Sequence, residues 1–152
     1  MGEDHNPETH IIPLAMRAAI NDEEFCLYGT DYKTPDGSCI RDYIHVIDLV
    51  QAHMLALEKI GQQEGGCFYN VGTGNGYSNK EVLEMVKGVA GKEIKIRICP
   101  RRSGDAEVLI ADSTRIKKEL GFVSKHSDLE TIVKTAWEWH INNSKLKTQN
   151  SK

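Results

Sequence analysis

Residues 67–98 read CFYNVGTGNGYSNKEVLEMVKGVAGKEIKIRI, and this stretch decides the fold class. Its first five residues predict a strand, and the glycine-rich segment 72–76 predicts a tight turn. Ser78 and Glu81 form the S-x-x-E capping box that begins a helix, and a glycine closes the helical pattern. Isoleucines alternating with basic residues over 94–98 predict another strand. The alternation of strand and helix favours an α/β or α+β chain over a helical bundle.

The same alternation runs through the rest of the chain. Helices are predicted over 11–20, over 49–60 after an N-cap at Asp48, from Ser113 to Gly121, and after a second capping box at Ser127 and Glu130. Strands are predicted over 25–28, 39–46 and 108–111. Residues 1–141 are expected to form the folded region, and residues 142–152 a polar, frayed tail. The predicted order of helices and strands does not begin with a βαβ unit.

Composition excludes several classes of function. The 152 residues carry a net charge of −3 with acids and bases interspersed, which gives no general attraction for nucleic acid or anionic lipid. No apolar run approaches the ~20 residues that a membrane helix needs. The four cysteines form no C-x-x-C pair and the six histidines have no metal-ligand spacing, so no metal site is expected. Without a secretory leader, we expect a cytoplasmic chain with reduced thiols.

The glycine-rich segment is a candidate for binding cofactor phosphates. The dinucleotide fingerprint needs glycines at its first, third and sixth positions, and Tyr77 occupies the sixth. The fingerprint also belongs to the first turn of a βαβ sheet. A tight turn that allows close backbone packing is therefore the favoured interpretation.

Two arginine sites are candidates for binding an anion. Arg41 follows the turn-forming TPDG sequence, and Arg101 and Arg102 follow the isoleucine strand. Guanidinium groups suit phosphate because they donate paired, charge-assisted hydrogen bonds. Surface ion pairs with nearby acids explain the same residues equally well, so spacing alone leaves both interpretations open.

Motifs in order along nearly the whole chain carry a resemblance. They are HNPETHIIP at 5–13, YGTDY at 28–32, TPDG at 34–37, RDYIHV at 41–46, YNVG at 69–72 and PRRSGD at 100–105. Together they resemble the UDP-glucose 4-epimerases of the extended short-chain dehydrogenase/reductase family. RDYIHV is widespread among such reductases, whereas TPDG with PRRxGD is more specific to the epimerases.

The resemblance implies the C-terminal substrate-binding part of an extended short-chain dehydrogenase/reductase fold, an NAD(P)-binding Rossmann-like fold whose N-terminal Rossmann core is absent here. The family interconverts UDP-glucose and UDP-galactose in galactose metabolism, with NAD and a Tyr-x-x-x-Lys pair. Neither that pair nor an NAD loop occurs in this sequence. We therefore expect an isomerase by family that binds no NAD and is inactive alone. The implied partners are the UDP-sugar, the missing NAD-binding half and, in the complete enzyme, a second copy in a homodimer.

The resemblance also assigns roles to individual residues. It implies that Arg41 and Arg102 contact the diphosphate and that Asp105 accepts hydrogen bonds from the uridine ribose. Because the missing half is implied to cover this one, we also expect apolar surface to be exposed and the chain to be marginally stable or to self-associate.

Further roles concern the uracil and the hexose. The segment Cys26-Leu27-Tyr28 would line the uracil through its backbone, and His10 and Ile11 would lie over the nucleotide sugar. Leu109 would stand beside the hexose, where its intermediate size leaves acceptance of UDP-N-acetylhexosamines open. The alternative function is a non-catalytic nucleotide-sugar-binding module or scaffold partner. A dehydratase or decarboxylase of the same reductase family is disfavoured by the TPDG and PRRSGD motifs.

Overall fold

A computed structural model describes residues 7–60 and 65–149 of the chain. Helices and strands alternate, which confirms the α/β prediction. The helices are α1 (Ile11–Asn21), α2 (Val46–Ile60), α3 (Asn79–Ala90), α4 (Thr114–Leu120) and α5 (Leu129–Gln149). The strands are β1 (Glu24–Tyr28), β2 (Ile40–Arg41), β3 (Tyr77–Ser78), β4 (Lys95–Cys99) and β5 (Val108–Leu109).

The strands form two small sheets. β1 and β4 pair in parallel, with Phe25 opposite Ile96. In the second sheet β2 is central, antiparallel to β3 and parallel to β5, so that Arg41 is in register with both Tyr77 and Leu109. Because each strand of this second sheet has two residues, its backbone ladder is short.

The main core lies between α1, α3, α5 and β1. Ala15 and Met16 of α1, with Leu83 and Val86 of α3, are fully buried there, and Val133 of α5 completes the contact. Their helical spacing in the sequence explains the burial, since residues three and four apart share one face of a helix. A smaller cluster around Ala52, Ile116 and Phe122 joins α2 to α4.

Three expected elements differ from the structure. The strand predicted over 67–71 is wrong: this stretch forms no ladder with any described residue, and Phe68 is 86% exposed. The strand expected over 39–46 is restricted to β2. α2 begins at Val46, so Asp48 lies inside its first turn and is not the N-cap. Strand pairing requires a non-local partner, which the local pattern does not report.

The two predicted capping boxes have different outcomes. The first is confirmed, because Glu81 N donates to Ser78 Oγ at 3.1 Å and Ser78 N donates to a Glu81 carboxylate oxygen at 2.6 Å. The second is wrong. The Asp128 carboxylate instead accepts from Thr131 N at 2.8 Å, and the Ser127 hydroxyl binds elsewhere. α5 continues to Gln149, past the boundary expected at residue 141.

Ser127 fastens α5 to α2 through a fully buried carboxylate. Its hydroxyl donates to Asp48 Oδ2 at 2.5 Å, and His126 N donates to the same oxygen at 2.8 Å. The backbone N–H of His45 donates to Ser127 Oγ at 2.9 Å. Burial opposes ionisation of Asp48, but these hydrogen bonds outweigh it and hold the pKa of that carboxyl below its ordinary value.

Helix α2 presents an apolar face to solvent, formed by side chains that are 55–64% exposed: Val46, Ile47, Val50, Met54 and Leu57. They recur at helical spacing and so lie on one side of the helix. The expected exposed apolar surface is confirmed. Among the described residues, no helix combines the length and the hydrophobicity needed to cross a bilayer.

Replacing Ser127 with alanine should leave the buried Asp48 carboxylate short of a donor. We expect the free energy of unfolding to fall by about 2–3 kcal/mol, measured by urea denaturation at neutral pH. Because the pKa of Asp48 is lowered on folding, its contribution is present above the unfolded value of ~3.9 and is lost as pH falls below it. The difference between variant and wild type should therefore shrink in acid. The exposed Ser103→Ala is the control, and equal stability of both variants would contradict this role.

The α2 face should drive self-association. We expect the chain to bind a hydrophobic dye and to elute at increasing apparent mass as its concentration rises. The double variant Val50→Lys with Leu57→Lys should reduce both signals. Glu93→Lys makes the same change in net charge at an exposed site outside α2 and should reduce neither signal. A wild-type chain that remains monomeric and binds no dye would refute this.

Candidate functional site

A cavity of about 800 Å³ opens beside β1. Its walls come from the beginning of α1, from β1, from residues 43–47 and from the α5 side chains between Ile132 and His140. Most of the lining is apolar, and both Arg41 and Arg102 contribute to it. A concave, mainly apolar site with a few polar groups is the common form of a small-molecule site.

The two arginines reach the cavity from different elements. Arg41 lies on β2, where its Nη1 donates to the carbonyl of Ile40 at 2.8 Å. Arg102 lies in the loop after β4, with its guanidinium carbon 4.9 Å from the centroid of the Tyr28 ring. Arg102 Nε also donates to Asp105 Oδ2 at 2.9 Å. A guanidinium has five N–H donors, so these contacts leave donors for an anion in the cavity.

Strand β1 supplies the predicted uracil-lining segment. Cys26, Leu27 and Tyr28 all line the cavity, with Leu27 buried and Tyr28 at the exposed end of the strand. Cys26 accepts a hydrogen bond from Arg97 of the neighbouring strand, at 2.9 Å. β4 pairs along one edge of β1 and fixes the position of all three residues.

The start of α1 supplies His10 and Ile11, which also line the cavity. His10 is the N-cap, with an extended backbone (φ −82°, ψ 144°) and no capping hydrogen bond from its own side chain. Glu8 orders this turn, since its Oε1 accepts from Thr9 N at 2.8 Å and from His10 N at 2.7 Å. Although burial opposes it, these hydrogen bonds hold the pKa of Glu8 below its ordinary value.

Asp105 and Leu109 are not among the described residues that line the cavity. Asp105 approaches the site through its ion pair with Arg102. Leu109 is 62% exposed on β5, in register with Arg41. The structure thus brings seven of the nine predicted site residues to one cavity and places the other two beside its arginines. The binding role of each of the nine stays a prediction.

The structure separates two adjacent arginines that the sequence cannot tell apart. Arg101 Nε donates to Asp31 Oδ1 at 2.7 Å, and its guanidinium carbon lies 4.0 Å from the centroid of the Tyr32 ring. The hydrogen bond from Arg101 lowers the pKa of Asp31. Arg101 therefore braces the loop after β1, and Arg102 is the member of the pair that faces the cavity.

Sequence reasoning missed part of the lining: Tyr43, His45, Thr135, Trp139 and His140. His45 and Thr135 hold the two walls together, with 2.9 Å between His45 Nε2 and Thr135 Oγ1. Burial raises the pKa of Tyr43 to about 12, so its phenol is neutral. The helical spacing of Ile132, Ala136 and Trp139 was the available signal, because it places them on one face of α5.

The glycine-rich turn does not offer a phosphate site. The first donors of α3 are occupied by the capping box of Ser78 and Glu81. A Cβ at Gly72 would lie 2.5 Å from Asp42 Oδ2 and 2.6 Å from Ala111 Cβ, so glycine is needed there for close packing. Within the described ranges, no group of three or more His, Cys, Asp or Glu side chains could hold a metal ion.

Comparison with known proteins finds relatives over most of the chain. The family model for GDP-mannose 4,6 dehydratase matches residues 1–135. UDP-glucose 4-epimerase of Lactobacillus helveticus is 44% identical over 95% of this chain and 44% of its own length. That of Halalkalibacterium halodurans is 48% identical over 92% of this chain and 42% of its own length.

Solved structures give the same result. A crystal structure of a UDP-glucose 4-epimerase superposes with a TM-score of 0.88 at 46% identity, over 93% of this chain and 44% of that one. The Bifidobacterium longum enzyme in complex with NAD+ and UDP has a TM-score of 0.82 at 37% identity, over 89% and 40%. The chain thus spans less than half the length of these relatives.

These matches assign the chain to the extended short-chain dehydrogenase/reductase fold, of which it resembles the C-terminal part. It belongs to the family described as GDP-mannose 4,6 dehydratase and, within it, to the UDP-glucose 4-epimerases.

Proposed function

We propose that this chain is the UDP-sugar-binding part of a UDP-glucose 4-epimerase, whose substrates are UDP-glucose and UDP-galactose. The observation that carries the proposal is the meeting of Arg41 and Arg102, which are far apart in sequence, at one cavity. Two guanidinium groups at a single site suit a diphosphate, since each can donate two parallel charge-assisted hydrogen bonds.

The cavity walls and the residues beside its two arginines would hold the remaining parts of the ligand. The β1 segment at Tyr28 would hold the uracil, and Asp105, already paired with Arg102, would accept from the ribose. His10 and Ile11 would lie over the sugar from α1, and Leu109 would stand near the hexose. Binding the UDP moiety leaves the hexose free to rotate. Binding energy from UDP, which does not react, thus positions the hexose, which does.

We assign the redox chemistry to the complete enzyme. NAD would supply hydride transfer at the sugar, but the residues described here do not fit it, because α3 is already capped behind the glycine turn. The sequence also contains no Tyr-x-x-x-Lys pair. We therefore propose that these 152 residues bind the UDP-sugar without turning it over, and that an NAD-binding half completes the site.

The same proposal covers the assembly, the location and the metabolic role of the complete enzyme. It includes a homodimeric complete enzyme, a cytoplasmic location and a role in galactose metabolism, all of which follow from the enzyme class. The alternative, a non-catalytic UDP-sugar-binding module that serves as a scaffold partner, uses the same cavity and differs in what the chain assembles with.

Titration with UDP by calorimetry tests the site. Arg41→Ala and Arg102→Ala should each weaken UDP binding by about ten- to a hundredfold, because each removes charge-assisted hydrogen bonds to the diphosphate. The loss should be smaller for UMP, which has one phosphate.

The matched control is Arg101→Ala. It removes the same charge from the neighbouring position, but its guanidinium contacts Asp31 and Tyr32, so UDP binding should be retained. Wild-type affinity in both cavity variants, or an equal loss in all three, would refute the proposed site.

A further inference from the structure

The carboxylate of Asp42, the residue after Arg41, collects hydrogen bonds from two separate segments. Its Oδ1 accepts from Thr73 N at 3.1 Å and from Thr73 Oγ1 at 2.6 Å. Its Oδ2 accepts from Gly74 N at 3.0 Å and from Ala111 N at 3.3 Å. One side chain therefore joins the end of β2 to the glycine-rich turn and to the segment after β5.

This contact lies where the backbone has little other support. β2 has two residues, and its pairing with β5 is completed by bonds from Ile40 N to Glu107 O at 2.9 Å and from Asp42 N to Leu109 O at 3.1 Å. Such a short ladder restrains the direction of Arg41 weakly, because few backbone hydrogen bonds offset the entropy that is lost when the residue is ordered. The four donors on Asp42 supply restraint directly beside Arg41.

The glycine-rich turn is shaped to receive this carboxylate. Gly72 has no side chain, and a Cβ there would lie within 2.5 Å of Asp42 Oδ2. Thr73 turns both its N–H and its hydroxyl toward Asp42, and its hydroxyl oxygen accepts from Asn75 N at 3.0 Å. The motif that resembles a cofactor loop in sequence thus acts on the Arg41 strand in the structure.

We propose that Asp42 is a positioning residue for the UDP-sugar site, and that it holds Arg41 and the adjoining Leu109 through the turn at Gly72–Gly74. The inference rests on the proposed function, because it assumes that Arg41 binds the diphosphate. Asp42 does not touch the ligand. Its effect on binding passes through Arg41.

A double-mutant cycle tests this dependence. Asp42→Asn turns one acceptor oxygen into an NH2 group, which faces N–H donors, so the clamp loses half of its acceptors. We expect Asp42→Asn to weaken UDP binding about tenfold in the wild type, and less than about twofold in an Arg41→Ala background. Thr73→Val, which removes one donor, should weaken binding about threefold, whereas Thr73→Ser keeps the hydroxyl and should restore it.

Asp22→Asn is the control for loss of a carboxylate. Asp22 pairs with Lys95 at an exposed site outside the cavity lining, so UDP affinity should be unchanged. All titrations are made well below the thermal midpoint of each variant. Asp42→Asn with wild-type affinity, or with the same loss in both backgrounds, would overturn the positioning role.

Amide hydrogen exchange decides the matter independently of UDP. In Asp42→Asn, the protection factors of the amides at positions 40 and 42 should fall about tenfold, because the β2–β5 pairing is loosened. Unchanged exchange at both amides would overturn the inference even if UDP affinity fell. If wild type does not bind UDP, or Arg41→Ala binds it normally, the proposed function fails, and exchange alone then tests the clamp.

Discussion

Two cationic side chains converge on one cavity, and the proposed binding site depends on that convergence. Arg41 reaches it from a strand of two residues, and Arg102 from a loop that follows a different sheet. Neither element is rigid by itself, so each arginine needs local support. The Asp42 carboxylate gives that support to Arg41, and the Asp105 carboxylate with the Tyr28 ring gives it to Arg102. A carboxylate thus supports each arginine, Asp105 by pairing directly with Arg102 and Asp42 by fastening the backbone next to Arg41.

The chain is tightly packed around β1, but one face of α2 is left uncovered. The helices around β1 bury a continuous core, whereas α2 turns apolar side chains outward. α2 is nevertheless anchored at its start, through Asp48 and the Ser127 hydroxyl. A helix that is held on one side and has an uncovered apolar face on the other is suited to contact with further protein. This agrees with relatives more than twice as long as the chain.

Local chemistry predicted the elements whose signals are local. The capping box at Ser78, the glycine that ends α3 and the limits of α1 follow from short-range patterns, and the structure confirms them. The predictions that failed concern residues whose hydrogen-bond partners are distant in the sequence. Ser127 looks like a cap, but the buried Asp48 carboxylate takes its hydroxyl, and Asp128 caps α5 instead. The stretch at 67–71 looks like a strand but forms no backbone ladder with any described residue. Likewise, the choice between Arg101 and Arg102 depends on Asp31, which only folding brings near.

A crystal structure of the chain with UDP bound would test the central claim most directly. We predict that the diphosphate lies in the cavity beside β1, with the guanidinium groups of Arg41 and Arg102 both within about 3.2 Å of its oxygens. A diphosphate bound elsewhere, or one held in the cavity by neither arginine, would contradict it.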